Sequence, residues 1–332
     1  MECYTGRIWT DDPFEGYICV EDGRIVDMGS GDAPPGCRTV GSGDILPSLT
    51  DAHTHVADAG LHITRKYSLE ELVAPPNGLK HRYLNSTSRD VLVADMRAYC
   101  SELERNGIDR FMDFREGGLE GVRMLREASD SAFILGRPVS EEFDPNEVEA
   151  ILKEADGIGI SSISDMPVHY IEAVADMVHR AGKALAVHVS ERVREDIDTV
   201  MSLSPDFIVH MCTATDADMR RCAEEDVPVV ICARSNMYFD RVPPLKRFED
   251  AGVSTMAGTD NAMIASPSLL DEAEELFRLA GAQGCRGDFV PRTLVRASKL
   301  LNEEKQLGWN IGDAVRTVSG PGGRLTVCAR RR

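Results

Sequence analysis

The sequence predicts an α/β protein, a (β/α)8 TIM-like barrel carrying a small β-sandwich domain built from both chain ends. Three observations lead there. Short apolar runs without polar alternation recur through the middle of the chain, as parallel strands covered on both faces do. Their ends, near positions 114, 137, 163, 188, 210, 232 and 260, are spaced 22–28 residues apart. One strand, one loop and one helix of about 10–15 residues need that length. The two chain ends share a different texture of brief strands and Gly-containing turns. For 332 residues, a soft prior of roughly 150 per domain also suggests two units. The expected boundaries are 1–46 with 305–332 for the small domain and 47–304 for the barrel.

In the N-terminal part, Gly6–Trp9, Gly16–Val20 and Gly23–Val26 are short apolar pieces, and Asp22-Gly23 between two of them is a hairpin signal. Gly31 to Gly43, rich in Gly and Pro, reads as loop. The barrel runs are Ile45-Leu46, Arg110–Phe114, Ala132–Leu135, Gly157–Ile160, Leu185–His188, Phe207–His210, Val227–Cys232 and Val253–Ala257. Helices are expected over Pro145–Ala155, Val168–Ala181 and Asp216–Glu225. The first interval is long. Its Tyr67–Ser88 stretch reads as an excursion over one end of the barrel, either a lid or a plain surface insertion. After Gly312 the strand-and-turn texture returns, and Trp9 and Trp309 are expected to pack the small domain.

Composition removes several classes. Hydrophobic residues make up 42% and charged residues 28%, which excludes a wholly disordered chain. The 37 basic and 55 acidic residues give a formal charge of −18, which disfavours coating of nucleic acid. No apolar run approaches the roughly 20 residues that span a bilayer, and no secretory signal opens the chain. Nine scattered cysteines without a Cys-x-x-Cys fit reduced thiols in a cytoplasm. The expected partner is a small-molecule substrate, with no nucleic acid and no membrane; a homo-oligomer is compatible with the sequence.

The strongest local signal is Asp51-Ala52-His53-Thr54-His55. On an extended strand, His53 and His55 point to one face and can reach one cation. His188, His210 and Asp260 each end a predicted strand, at the end of a barrel that carries active sites. A lone core histidine is usually a satisfied buried residue. Four imidazoles and a carboxylate at one barrel end instead suit Zn2+ or another borderline divalent ion. Glu191, three residues after His188, is placed to shuttle a proton, although alone it would read as a solvated loop acid.

These motifs together resemble the amidohydrolase superfamily over essentially the whole chain. Cys232–Asn236, Gly258–Asn261 and His188-x-x-Glu191 resemble its branch of cytosine deaminase and chlorohydrolase-type deaminases. Many members hold two metals bridged by a fourth-strand Lys or Glu. Here that strand reads Gly157–Asp165 with neither at its end, so the resemblance implies one divalent ion, Zn2+ first, with Fe2+ or Mn2+ as alternatives. It further implies His53, His55, His188 and Asp260 as metal ligands. His210 becomes a non-ligand that polarises the attacking water or forming oxyanion, Glu191 the proton shuttle, and Asp260 the acceptor of the water's proton.

The expected reaction is hydrolysis of a non-peptide carbon–nitrogen bond, deaminating an amino-substituted heterocycle. A ring-opening hydrolase of the imidazolonepropionase kind is the alternative, and a non-catalytic scaffold is a third. Arg115, Arg137 and Arg234, near the ends of the second, third and seventh strands, are candidates for binding a substrate carboxylate or phosphate. Ion pairs with neighbouring acids explain each singly at least as well. Asn261 is a further candidate for substrate contact.

Overall fold

A computed structural model describes residues 1–10, 12–74, 77–300, 314–319 and 325–330. Trp309, the expected boundary at 304/305 and the turn between the two C-terminal strands lie outside them. The strands are β1 (Glu2–Ile8), β2 (Phe14–Glu21), β3 (Arg24–Ser30), β4 (Arg38–Leu46), β5 (Leu49–His55), β6 (Ile108–Arg115), β7 (Ala132–Gly136) and β8 (Gly157–Ile160). They continue with β9 (Ala184–Val189), β10 (Phe207–His210), β11 (Val229–Ile231), β12 (Thr255–Ala257), β13 (Asp260–Asn261), β14 (Ala314–Ser319) and β15 (Leu325–Arg330).

The composite domain from both chain ends is present. Its strands follow the order β1-β2-β3-β14-β15-β4 and close into a ring. Glu21 pairs with Arg24, so Asp22 and Gly23, both at positive φ, form the two-residue hairpin turn that the Asp-Gly signal indicates. Two expectations need correction. Arg38–Gly43 is strand rather than loop, because it pairs along its length with β1 in parallel, while β15 joins the other side of β4 at Ile45 and Leu46. Ile45-Leu46 ends that strand, and the first barrel strand starts only after Pro47, whose missing N–H cannot serve a ladder.

The second sheet follows the order β12-β11-β10-β9-β8-β7-β6-β5-β13. Strands β12 and β13 are two pieces of one barrel strand, split at Gly258-Thr259. Strand β12 pairs with β11 and β13 pairs with β5, so eight parallel strands close the barrel. Gly258 is required at the split, since a Cβ there would lie 2.8 Å from Cβ of His53 and 2.9 Å from its backbone nitrogen. Asp51 fastens the same seam. Its carboxylate accepts hydrogen bonds from Thr259 N (3.0 Å) and Thr259 Oγ1 (2.7 Å).

The helices are α1 (Leu69–Leu72), α2 (Leu79–Ser86), α3 (Arg89–Arg105), α4 (Gly118–Ala128), α5 (Pro145–Glu154) and α6 (Val168–Arg180). The rest are α7 (Ile197–Ser202), α8 (Asp216–Glu224), α9 (Ala233–Tyr238), α10 (Leu245–Ala251), α11 (Leu269–Gln283) and α12 (Phe289–Leu300). Expected helices α5, α6 and α8 start and stop within a residue of their predicted bounds. Local chemistry explains this: Asp144 caps α5 ahead of Pro145, and Thr215 with Asp218 forms a capping box on α8. One apolar layer lies between strands and helices, and includes Ile134, Val187, Ile208 and Leu276. A second, with Met112, Phe114, Leu135, Phe207, Val209 and Met256, fills the barrel below the catalytic end. Trp9 joins the first layer and donates to Asp44 (2.9 Å), so it packs where the two units meet.

The excursion after β5 contributes α1 and α2, and its residues Leu69, Glu70, Val73, Ala74, Lys80 and His81 line the cavity at the barrel mouth. No helix among the described residues is long and apolar enough to cross a membrane.

Candidate metal centre and active site

At the C-terminal end of the barrel the structure brings together His53, His55, His188, His210 and Asp260. One ring nitrogen from each of His53, His55 and His188 lies within 4.8 Å of the other two, and so do one ligand atom each from His53, His210 and Asp260. His53 Nε2 is 3.2 Å from His188 Nε2 and 3.3 Å from Asp260 Oδ1, which is itself 3.6 Å from His55 Nε2. Strand periodicity explains the pair from β5. Backbone strain helps to explain the others. His210, Met211, Ser190 and Asp260 all have positive φ, between 50° and 78°. For residues other than glycine this costs on the order of 1–3 kcal/mol each and persists where surrounding contacts over-determine it. It turns the side chains at the strand ends into the mouth.

The tautomers follow from the outer partners. His55 Nδ1 donates to Phe114 O (3.1 Å) beside Glu116 Oε1 (3.0 Å), and His188 Nδ1 donates to Ile160 O (2.9 Å). Each therefore presents a lone pair on Nε2 to the centre. Burial holds the pKa of all four imidazoles below the ordinary range, that of His55 to about 4 with a further push from Lys80. The Nε2 lone pairs of His55 and His188 and the Asp260 carboxylate are aimed at one point beside His53, an arrangement that a cation would join. His53 Nδ1, buried without a hydrogen-bond partner, points the same way: this histidine is not held by a local polar contact at that atom. The donor set fits a divalent ion of the zinc class.

The two site carboxylates differ. Burial works against ionisation of Asp260, but the hydrogen bond and charge of His53, with His210 and His55, hold its carboxyl well below the usual range. Ser235 Oγ also donates to Asp260 Oδ2 (2.5 Å). Burial raises the Glu191 pKa to about 8, and the Asp260 charge adds to the rise. Glu191 Oε2 is 3.7 Å from His210 Nε2. Asn236 Nδ2 donates to His210 Nδ1 (3.1 Å), which leaves Nε2 as the protonated nitrogen facing the cavity. The loop carrying Glu191 is braced by Glu195, which accepts from Ser190 N (2.9 Å) and Ser164 Oγ (2.8 Å).

The cavity has a volume of about 280 Å3 and is lined by His55, His188, Glu191, His210, Asp260 and Asn261, among others. Of the three candidate arginines only Arg137 lines it, and no hydrogen bond or salt bridge holds its guanidinium among the described residues. The expectation for the other two is corrected. Arg115 is fully buried and pairs with Asp113 (3.2 Å) and Glu116 (2.5 Å). Arg234 is tied to Glu272 (2.7 Å) and to Ser266 and Ser268. Both are occupied by structural carboxylates. Asn261 does line the cavity, while donating to Asp58 Oδ2 (2.9 Å). Asp165 lies in a turn that lines the cavity and caps no helix.

Sequence reasoning gave Lys80 no place at the site, had Glu116 only as an acid neighbouring an arginine and Ser235 and Asn236 only within the Cys232–Asn236 motif, and did not foresee that His81 lines the cavity. Lys80 is buried, 2.5 Å from Glu116 Oε1 and 3.7 Å from Asp58 Oδ2. Glu116 is strongly desolvated, yet Lys80, His55 and Arg115 keep it ionised, well below the carboxylate range. The only sequence signal for Glu116 was its place directly after a strand-end Arg. Lys80 lay in the excursion, where periodicity carries no information about the barrel mouth.

Residues 45–302 match the family described as "Amidohydrolase family". A relative from Methanothermobacter thermautotrophicus, named "Putative aminohydrolase", is 32% identical over 299 residues, 82% of this chain and 77% of its own. Among solved structures, a zinc-bound adenosine deaminase of Xanthomonas campestris superposes with a TM-score of 0.71 at 17% identity, covering 94% of this chain and 83% of that one. A zinc-complexed atrazine chlorohydrolase of Arthrobacter aurescens TC1 gives 0.70 at 16% identity, covering 95% and 86%. At these identities the two structures bear on the fold.

Proposed function

The chain belongs to the amidohydrolase family, hydrolases of carbon–nitrogen bonds, and from that premise we propose that it deaminates an amino-substituted heterocycle by metal-dependent hydrolysis. The observation that carries this reading is the convergence of His53, His55, His188, His210 and Asp260 at one barrel mouth, with Glu191 on the same cavity 3.7 Å from His210; the surroundings also push the two carboxyls apart, Asp260 down and Glu191 up to about 8. Two carboxyls with opposite protonation divide base and acid work.

His53, His55, His188 and Asp260 would hold one divalent ion, of which zinc suits the donor set best. When bound it would supply Lewis acidity, bringing the pKa of a water from 15.7 toward about 7. Asp260 takes up a proton from the attacking water. Glu191 delivers its proton to the ring nitrogen beside the attacked carbon, receives the proton held by Asp260 and passes it to the departing amine, which leaves as ammonia, and is returned to its acid form by the hydroxyl proton of the adduct as the carbonyl forms. His210, protonated on Nε2 by the Asn236 contact, donates toward the developing negative charge, a contact worth about 2.7–4 kcal/mol where such donors have been removed. The absence of a Lys or Glu at the end of β8 among the described residues supports the one-metal arrangement.

The substrate is a small molecule. A cavity of about 280 Å3 suits a single or fused heterocycle. The guanidinium of Arg137 would take a carboxylate or phosphate substituent. The name of the Methanothermobacter relative supports the same reaction class. Zinc-loaded protein incubated with panels of pterins, purines, pyrimidines and triazines tests it: free ammonia with the ring intact is the expected product. A ring-opened acid without ammonia would replace this reading with the cyclic-amide alternative.

A further inference from the structure

We propose that the small domain holds a second metal site, a three-thiolate site for a thiophilic closed-shell cation of the Zn2+ or Cu+ class, formed by Cys3, Cys19 and Cys37. The three sulfurs come from separate segments and lie within 4.8 Å of one another, with Cys19 Sγ and Cys37 Sγ 3.8 Å apart. Cys3 and Cys19 face each other across β1 and β2 and share one face of the sheet. Cys37 arrives from the Gly/Pro-rich loop just ahead of β4. Three sulfurs each about 2.3 Å from one ion stand about 4 Å apart in a trigonal plane, so the spacing needs little adjustment. Soft thiolates without oxygen or imidazole partners select this class of ion.

Two surrounding features agree. Cys3 and Cys19 are fully buried, whereas Cys37 is half-buried and lines a surface depression of about 640 Å3 with Gly16, Gly31, Pro34 and Pro35. That depression gives an ion a way in. The charged group beside Cys19 is Asp27, its partner across β2 and β3, whose carboxylate also accepts from Tyr17 OH (3.2 Å). Its negative potential favours a cation. Burial pushes the Cys3 and Cys19 thiols up, so these two keep their protons in the metal-free cluster. On binding, each S–H bond breaks, its proton passes to solvent and a sulfur–metal bond forms. No oxidation state changes.

The test uses the full chain, kept reduced, with Co2+ as the probe. A thiolate-to-cobalt charge-transfer absorption, rising to the intensity of one thiolate-bound ion per chain, is expected, with protons released to solvent as it forms. Cys37→Ser, at the half-buried position where folding is least at risk, should abolish the absorption with an unchanged circular dichroism spectrum; Cys19→Ser should do the same. His188→Ala should leave it intact. Competition with Zn2+ and with Cu+ identifies the native ion. Lack of the absorption, its survival in both serine variants, its loss in His188→Ala, or displacement by neither ion would overturn the proposal and leave three reduced core thiols.

Discussion

Asp260 and Glu191 share one cavity and one type of side chain, yet the barrel gives them opposite acid strengths. Asp260 stands among three imidazoles and accepts a hydroxyl hydrogen bond from Ser235, so its charge is matched on several sides. Glu191 stands on the loop after β9 with one imidazole 3.7 Å away and Asp260 as a neighbour, so its charge is opposed. The comparison teaches that position within the cluster, rather than burial alone, sets the protonation state, since both carboxylates are strongly desolvated.

The largest effect should come from the matched pole. His188→Ala removes one of the converging lone pairs, and bound zinc and turnover should both fall to background by metal analysis and ammonia assay. At the opposed pole, Glu191→Gln should keep a full equivalent of metal and lower kcat by roughly 10²–10⁴-fold, the usual weight of a positioned proton donor. Unchanged kcat on an identified substrate would end the shuttle assignment. Ser235→Ala leaves all ligands in place but loosens Asp260, and metal affinity should drop about 10–100-fold. Equal affinity would mean that the imidazoles alone fix the carboxylate.

The smallest effect is a stability slope in chelated protein. A carboxyl raised from 4.5 to about 8 in the fold favours folding fully below pH 4.5, and that contribution is lost as pH rises through 8. At ~1.4 kcal/mol per unit this amounts to at most a few kcal/mol, less because the side chain is 19% exposed. Glu191→Gln should therefore be more stable than the parent at pH 8 and not at pH 4. Denaturant titrations at the two values read the difference.

The convergence of these side chains was legible beforehand because they end strands, where an apolar run followed by a single polar residue is a strong pattern. His188, His210 and Asp260 were found that way, and His53 with His55 by the period of two. The supporting groups carried no such pattern. Ser235 and Asn236 act from α9, and Lys80 reaches the cavity from α2, across a long insertion whose register to the barrel no local rule supplies. For Arg115 and Arg234 the alternative weighed beside substrate binding, ion pairs with neighbouring acids, is what the structure shows: Asp113 and Glu116 hold the first, Glu272 the second. Strand β4 hid as a loop because its glycine content outweighed pairing that only long-range contacts reveal.

The split at Gly258-Thr259 has one more implication. The join between the last and first strands is also the spot from which Asp260 enters the reactive mouth. A methyl group added at 258 would collide with His53 itself, so a wedge there would part the staves of the barrel and scatter its ligands in the same stroke. Integrity of the cylinder and competence for chemistry should thus be inherited together, with no variant at that residue able to forfeit one and keep the other.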